Sequence, residues 1–177
     1  MQPSIARRRA DSRPLKYREV ASPVGTLLLA GDGETLQYLL FVGGRDGFRP
    51  DQGSRADPNA FGGVVAQLRS YFEGELREFD VPLAPQGTDF QLAVWRELRR
   101  IPFGATLSYG ELARRIHRPG ASRAVGAANG ANPISIIVPC HRVIGADGTL
   151  TGFGGGLAAK QFLLDHERTL ATQRTLF

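Results

Sequence analysis

Residues 134–144 read Ile134-Ser135-Ile136-Ile137-Val138-Pro139-Cys140-His141-Arg142-Val143-Ile144. An almost continuous apolar run from Ile134 to Val138, bounded by prolines, predicts a buried extended segment. Such a segment sets Cys140 on a rigid support, with His141 and Arg142 directly behind it. A free thiol becomes a nucleophile as the thiolate, which cationic neighbours and hydrogen-bond partners favour. His141 is placed to take the thiol proton, directly or through one water. Its other nitrogen then needs a partner, and Glu167 is the candidate. Alone, the pair also fits an inert buried thiol.

Upstream, Ser108-Tyr109-Gly110-Glu111 has capping-box spacing and starts a short helix through about Ile116. A turn at 117–122 contains Pro119 and Gly120, and a second short helix covers about Ala121–Ala128. Two short helices joined by a tight turn resemble a helix-turn-helix. The second presents Ala121, Ser122, Arg123, Ala124, Gly126 and Ala127. It is poor in the side chains that read base edges in the major groove. Its small residues allow close backbone approach in a minor groove, where Arg123 would fill the gap left by an extruded base. Two packed core helices are the plainer alternative. Asn129 to Pro133 is expected to break the second helix. Downstream, Gly152-Phe153-Gly154-Gly155-Gly156 precedes a last helix from Leu157 to His166. Phe153 is suited to stack on a base, and glycine amides to bond its edge.

Nearer the start, Lys16–Ala21, Thr26–Ala30 and Leu36–Val42 read as three strands of an antiparallel meander, with Asp32-Gly33 in a tight turn. Phe61, Val64, Val65, Leu68, Tyr71 and Phe72 recur at helical spacing and predict a helix that covers the meander. Phe79–Leu83 is a candidate further strand. Pro82, Pro85 and Gly87 mark a boundary near residue 86, ahead of a helix over Phe90–Arg100 capped by Asp89. The expected fold is an α/β N-terminal domain over 1–85, with a disordered basic tail at 1–14, then a mainly α-helical domain over 86–177. The first part of the Gly43–Gly63 stretch is expected to be a mobile loop.

The 177 residues carry a net charge of +5. Residues 1–85 hold 11 Lys/Arg and 11 Asp/Glu, whereas 86–177 hold 11 against 6, so the whole excess lies on the second half. That half is suited to face a polyanion. One cysteine rules out an internal disulfide and fits a reducing cytoplasm. With His117, His141 and His166 scattered, no zinc-ligand spacing exists. No apolar run approaches the ~20 residues that span a bilayer.

In combination these stretches resemble the O6-alkylguanine-DNA alkyltransferases (methylated-DNA–protein-cysteine methyltransferases). The resemblance rests on Ile136–Ile144, Arg123–Ala128, Asn132-Pro133, Gly155-Gly156-Leu157 and Leu163–Glu167, and its detail runs from about Phe90 to Glu167. It implies repair of O6-alkylguanine, and of O4-alkylthymine, by a single-turnover methyltransferase that flips the base through the minor groove. By that resemblance Cys140 accepts the alkyl group, and His141 relays its proton through a water, held by Glu167. Tyr109 helps rotate the nucleotide and donates to the ring, and Asn132 braces the turn. The implied DNA contacts are Arg123, Tyr109, Ala121, Ser122, Ala124, Gly126, Ala127 and Arg142. The base pocket is formed by Val138, Cys140, Phe153, Gly154, Gly155 and Gly156. The implied partner is double-stranded DNA carrying O6-alkylguanine, met by a monomer, singly or cooperatively along the duplex, with no cofactor, no metal and no membrane. Some family members bind zinc through cysteines in the first half, which this chain lacks. Gly154 stands where some relatives carry a hydroxyl residue. The competing readings are a damaged-DNA-binding helix-turn-helix module without chemistry, and a cysteine hydrolase.

Overall fold

The computed structural model describes residues 14–44 and 53–173. The expected tail, apart from Pro14, and residues 45–52 of the expected 43–63 loop lie outside them. Strands β1 (Lys16–Ser22), β2 (Gly25–Gly31) and β3 (Leu36–Phe41) pair antiparallel as the meander. A two-residue β4 (Arg55–Ala56), unmarked in the sequence pattern, adds to β1 in parallel, giving the order β3-β2-β1-β4. The central strand is buried on both faces, with Leu27, Leu29 and Ala30 fully enclosed. Helix α1 (Gly62–Phe72) supplies Val64, Leu68 and Tyr71 from its apolar stripe to the core.

Residues 79–83 form no strand. Their only ladder contact is a single bridge between Leu36 and Leu83 on the outer edge of β3. Pro82 there cannot donate to a ladder, which limits the pairing. A second single bridge on the same edge joins Leu39 to Ile134. The Leu39 N–H donates to the Pro133 carbonyl and the Ser135 N–H donates to the Leu39 carbonyl, each at 2.9 Å. The meander edge thus clasps the segment that leads to Cys140.

Helix α2 (Asp89–Leu98) is capped by Thr88, not Asp89; Thr88 and Gln91 exchange both bonds of a capping box. After β5 (Leu107–Ser108), helix α3 (Tyr109–Arg115) starts from the capping box of Ser108 and Glu111. Helix α4 (Ser122–Gly130) runs past Ala128 through Asn129, which the sequence pattern placed in a break. The Trp95 indole N–H donates to the Ala128 carbonyl at 2.8 Å and locks α2 to α4. β6 (Val143–Ile144) pairs in parallel with β5, and α5 (Gly156–Gln173) extends well beyond His166. Buried side chains from both halves form one continuous core, from Leu27 on β2 to Leu163 on α5. Among the described residues, no helix is long and apolar enough to cross a membrane.

Candidate active site

The segment 134–138 is buried throughout but is not extended. It folds into tight turns, and Ile136 takes a φ of 70°. A β-branched residue in the left-handed region costs about 1–3 kcal/mol and persists only where its surroundings over-determine it. Asn132 supplies that determination. Its Nδ2 donates to the Val138 carbonyl at 2.8 Å, and its Oδ1 accepts from the Ile134 N–H at 3.1 Å. The chain then enters a single 3₁₀ turn over Cys140–Arg142, which aims three successive side chains in different directions.

Two of those side chains converge on Glu167. His141 Nε2 lies 2.8 Å from Glu167 Oε1. Arg142 grips the same carboxylate with two donors, Nε at 2.8 Å and Nη2 at 2.9 Å. The Tyr71 hydroxyl donates to Oε1 at 2.8 Å, and the Gly104 N–H donates to Oε2 at 3.1 Å. A Cβ at Gly104 would come 2.7 Å from the Ala171 Cβ, so only glycine brings its amide this close to α5. The remaining Arg142 donor, Nη1, reaches the Ile101 carbonyl at 2.6 Å. Behind this cluster the buried Lys160 ammonium donates to the Val143 carbonyl at 2.6 Å and the Thr151 carbonyl at 3.2 Å.

The protonation states follow from these contacts. Burial works to raise the Glu167 pKa, but hydrogen bonds and charge from His141 and Arg142 outweigh it and hold the carboxyl well below the usual range. The permanent charge of Arg142 is the firmer cause, since burial lowers the His141 pKa and leaves the imidazole neutral. A neutral imidazole beside a carboxylate carries its proton on the nitrogen facing it. His141 Nε2 is therefore the donor and Nδ1 keeps its lone pair. Nδ1 is buried and has no protein partner. Burial also raises the Cys140 thiol, against an Asn132 hydrogen bond and the Lys160 charge. At rest the thiol is protonated, and a lone-pair nitrogen sits on the adjacent residue.

Two adjoining hollows lie on this side of the molecule, and the inner one touches the thiol. An outer groove of about 560 Å³ is lined by Tyr109 and by Ser122, Arg123, Gly126 and Ala127 of α4. An inner cavity of about 20 Å³ reaches Cys140. Both share Gly130, Gly152, Phe153 and Gly154 as a wall. Arg123, Ala124 and Ala127 are exposed on α4, and Ala121 precedes it half-buried. The Tyr109 hydroxyl bonds Thr151 Oγ1 at 2.5 Å, on the loop that carries Phe153.

Three expectations are corrected. Arg142, expected at DNA, is 6% exposed and committed to Glu167. Val138 is buried in the braced turn and lines neither hollow, and Gly155 and Gly156 line neither. A Cβ on Gly155 would meet the Phe41 ring at 2.7 Å, so its role is to admit Phe41. Phe41 itself packs edge-on against Phe153, with ring centroids 5.3 Å apart.

Four residues with a place here were not singled out from sequence. Tyr71 looked like one more member of an apolar stripe, and Phe41 like a strand residue. Asn129 fell in an expected helix break. Lys160 carried the one usable signal: it shares the buried stripe of α5 with Leu163 and Glu167 at helical spacing. Among the described residues, no group of three or more His, Cys, Asp or Glu is gathered to hold a metal.

Comparisons with known proteins agree on both halves. Residues 15–85 match the family model for the 6-O-methylguanine DNA methyltransferase ribonuclease-like domain. Residues 89–169 match that for the 6-O-methylguanine DNA methyltransferase DNA-binding domain. A methylated-DNA–protein-cysteine methyltransferase of Mycobacterium tuberculosis is 53% identical over 165 residues, covering 92% of this chain and 99% of that protein. One from Methanosarcina acetivorans is 52% identical over 151 residues, covering 85% and 97%. The crystal structure of Mycobacterium tuberculosis OGT in complex with DNA superposes with a TM-score of 0.83 at 54% identity, covering 88% of this chain and 94% of that one. The chain belongs to the 6-O-methylguanine DNA methyltransferase family.

Proposed function

We propose that this protein repairs DNA by moving the alkyl group of O6-alkylguanine, or of O4-alkylthymine, onto Cys140 Sγ, once per molecule. The observation that carries the reading is the placement of its sole cysteine. Cys140 lines an inner cavity that shares the wall of Gly130, Gly152, Phe153 and Gly154 with a groove holding Arg123 and Tyr109, and it adjoins a histidine whose other nitrogen is fixed by Glu167.

In this reading the lesion is turned out of the duplex into the groove, and Arg123 occupies the space it leaves. His141 Nδ1 takes the Cys140 proton, directly or through one water, and the Glu167 carboxylate stabilises the imidazolium that forms. Sulfur attacks the alkyl carbon. The S–C bond forms as the C–O6 bond breaks, and the electron pair passes to the guanine ring, which is protonated. The Tyr109 hydroxyl, at the groove wall, is the candidate donor to the developing anion. The product thioether is stable, and no second thiol exists in the chain to remove the group.

The division of labour places DNA contact and chemistry in residues 86–177, with 1–85 as their support. The working unit is a monomer on double-stranded DNA in the cytoplasm, without cofactor or metal. Intact-protein mass after mixing with a duplex carrying O6-methylguanine tests the reading. One methyl gained at Cys140, stopping at one equivalent, is expected. Binding without any gain in mass moves the assignment to a damage-binding module.

A further inference from the structure

Tyr109 opens α3 on the wall of the outer groove, and its hydroxyl is bonded to Thr151 Oγ1 at 2.5 Å. Thr151 lines the outer groove but not the inner cavity. Each partner is anchored by its own route. Tyr109 directly follows β5, which pairs with β6 just beyond the nucleophile turn. Its ring lies over α4, where a Cβ on Gly126 would come 3.7 Å from Tyr109 Cδ1. Thr151 is held through its carbonyl by the buried Lys160 ammonium at 3.2 Å, and the same ammonium holds the Val143 carbonyl of β6 at 2.6 Å. A buried ammonium is costly unless its protons are bonded, so breaking either contact is disfavoured. The bond from Tyr109 to Thr151 thus closes a ring that runs through β5, β6 and Lys160.

Two hydroxyls in one hydrogen bond use one proton and leave the other free. If Tyr109 donates to Thr151, its phenol proton is occupied. If Thr151 donates to Tyr109, the phenol proton is free for the groove. Alkyl transfer as proposed needs the second arrangement, because Tyr109 must donate to the guanine ring as charge develops there. A threonine hydroxyl reaches it by rotation about Cβ–Oγ1 alone. A hydroxyl that accepts one hydrogen bond is also a stronger donor of another. We infer that Thr151 is a positioning residue for alkyl transfer: its hydroxyl donates to the Tyr109 oxygen, turns the phenol proton toward the flipped base and offsets the charge that oxygen gains as its proton is drawn to the ring.

Thr151 is exposed, so water competes for its hydroxyl while the groove is empty. A base in the groove covers the pair, and the bond strengthens as water leaves. The effect of Thr151 therefore falls on the transfer step, where charge develops, and not on the binding of DNA.

This inference rests on the proposed alkyl transfer with Tyr109 as donor, and its test separates the readings. Single-turnover methyl transfer is measured from a duplex carrying O6-methylguanine, beside the Kd for the unmodified duplex. Thr151→Val keeps the shape and loses the hydroxyl; it should slow transfer about five- to tenfold and leave Kd within about twofold. Thr151→Ser keeps the hydroxyl and should transfer within about twofold of the wild-type rate. Tyr109→Phe should be slow by itself, and adding Thr151→Val to it should cost nothing further. Thr151→Ala takes the place of Thr151→Val in this cycle if the valine variant does not fold. An unchanged rate for Thr151→Val, equal slowing by Thr151→Val with and without Tyr109→Phe, or a serine variant as slow as the valine one would each overturn the inference. Tyr109→Phe at full rate would remove the donor and the inference with it. Absence of transfer by wild type would instead overturn the alkyl-transfer reading itself.

Discussion

The molecule buries two centres of opposite character. Under the meander, Leu27, Leu29, Leu36 and Leu39 are fully enclosed with no polar partner to satisfy. Around Glu167, at similar depth, lie a guanidinium, an imidazole and a phenol. The apolar centre is stabilised by area and packing, so it loses stability in proportion to what is removed. The charged centre is stabilised only while every donor finds its acceptor, so removing one member strands the others. The chemistry sits in the centre that tolerates less change.

The largest expected effect is at Glu167. Glu167→Ala leaves Arg142 buried and unpaired and should cost about 3–5 kcal/mol in denaturant unfolding, with transfer activity lost. A cost near that of a surface substitution would break the contrast. The same centre sets the acid response. Glu167 is depressed from 4.5, so its contribution is complete above that value and is lost as pH falls below it. His141 is depressed from 6.5 by burial, so below 6.5 the unfolded chain takes up a proton that the native state refuses. Both act in one direction. The urea midpoint should hold above about pH 6.5 and fall with growing steepness below it, and a flat profile down to pH 4 would contradict both assignments.

Next comes Leu39→Ala in the apolar centre, expected to cost about 2–4 kcal/mol by the same assay. Because β3 clasps the Pro133–Ser135 backbone, this variant should also slow transfer, whereas a cavity at Leu27 should not. Tyr71→Phe removes one of several donors to Glu167 and should cost about 1–2 kcal/mol while leaving Arg142 paired. The smallest stability effect belongs to Arg123→Ala, within about 0.5 kcal/mol because the side chain is exposed. Its transfer from duplex DNA should nonetheless fall clearly. Unchanged duplex kinetics would remove Arg123 from the groove's function.

These contrasts also explain what was legible in the sequence. The three meander strands and the capping box at Ser108 are local signals, with side-chain periods and turn residues that act within a few positions. The cysteine, its histidine and the arginine of α4 stood out as chemistry-bearing types in short motifs. The segment 134–138 reads as extended because composition reports burial and not φ, whereas the turn at Ile136 is imposed by Asn132. Arg142 looked like a surface cation because its carboxylate partner lies 25 residues away on α5. Tyr71 is separated from Glu167 by 96 residues, and no local pattern marks its hydroxyl as part of that cluster. Short β4 was hidden for a related reason, since a two-residue parallel pairing leaves no periodicity.

The clasp between Leu39 and the Pro133–Ser135 backbone has a consequence for cooperativity. The Ser135 amide is held by a strand that is itself part of the best-enclosed portion of the sheet. In native-state hydrogen exchange it should open with the amides of β2 and β3, not with the helices that follow it in sequence. The turn bearing the nucleophile then belongs to the same foldon as the meander and should unfold only when the sheet does.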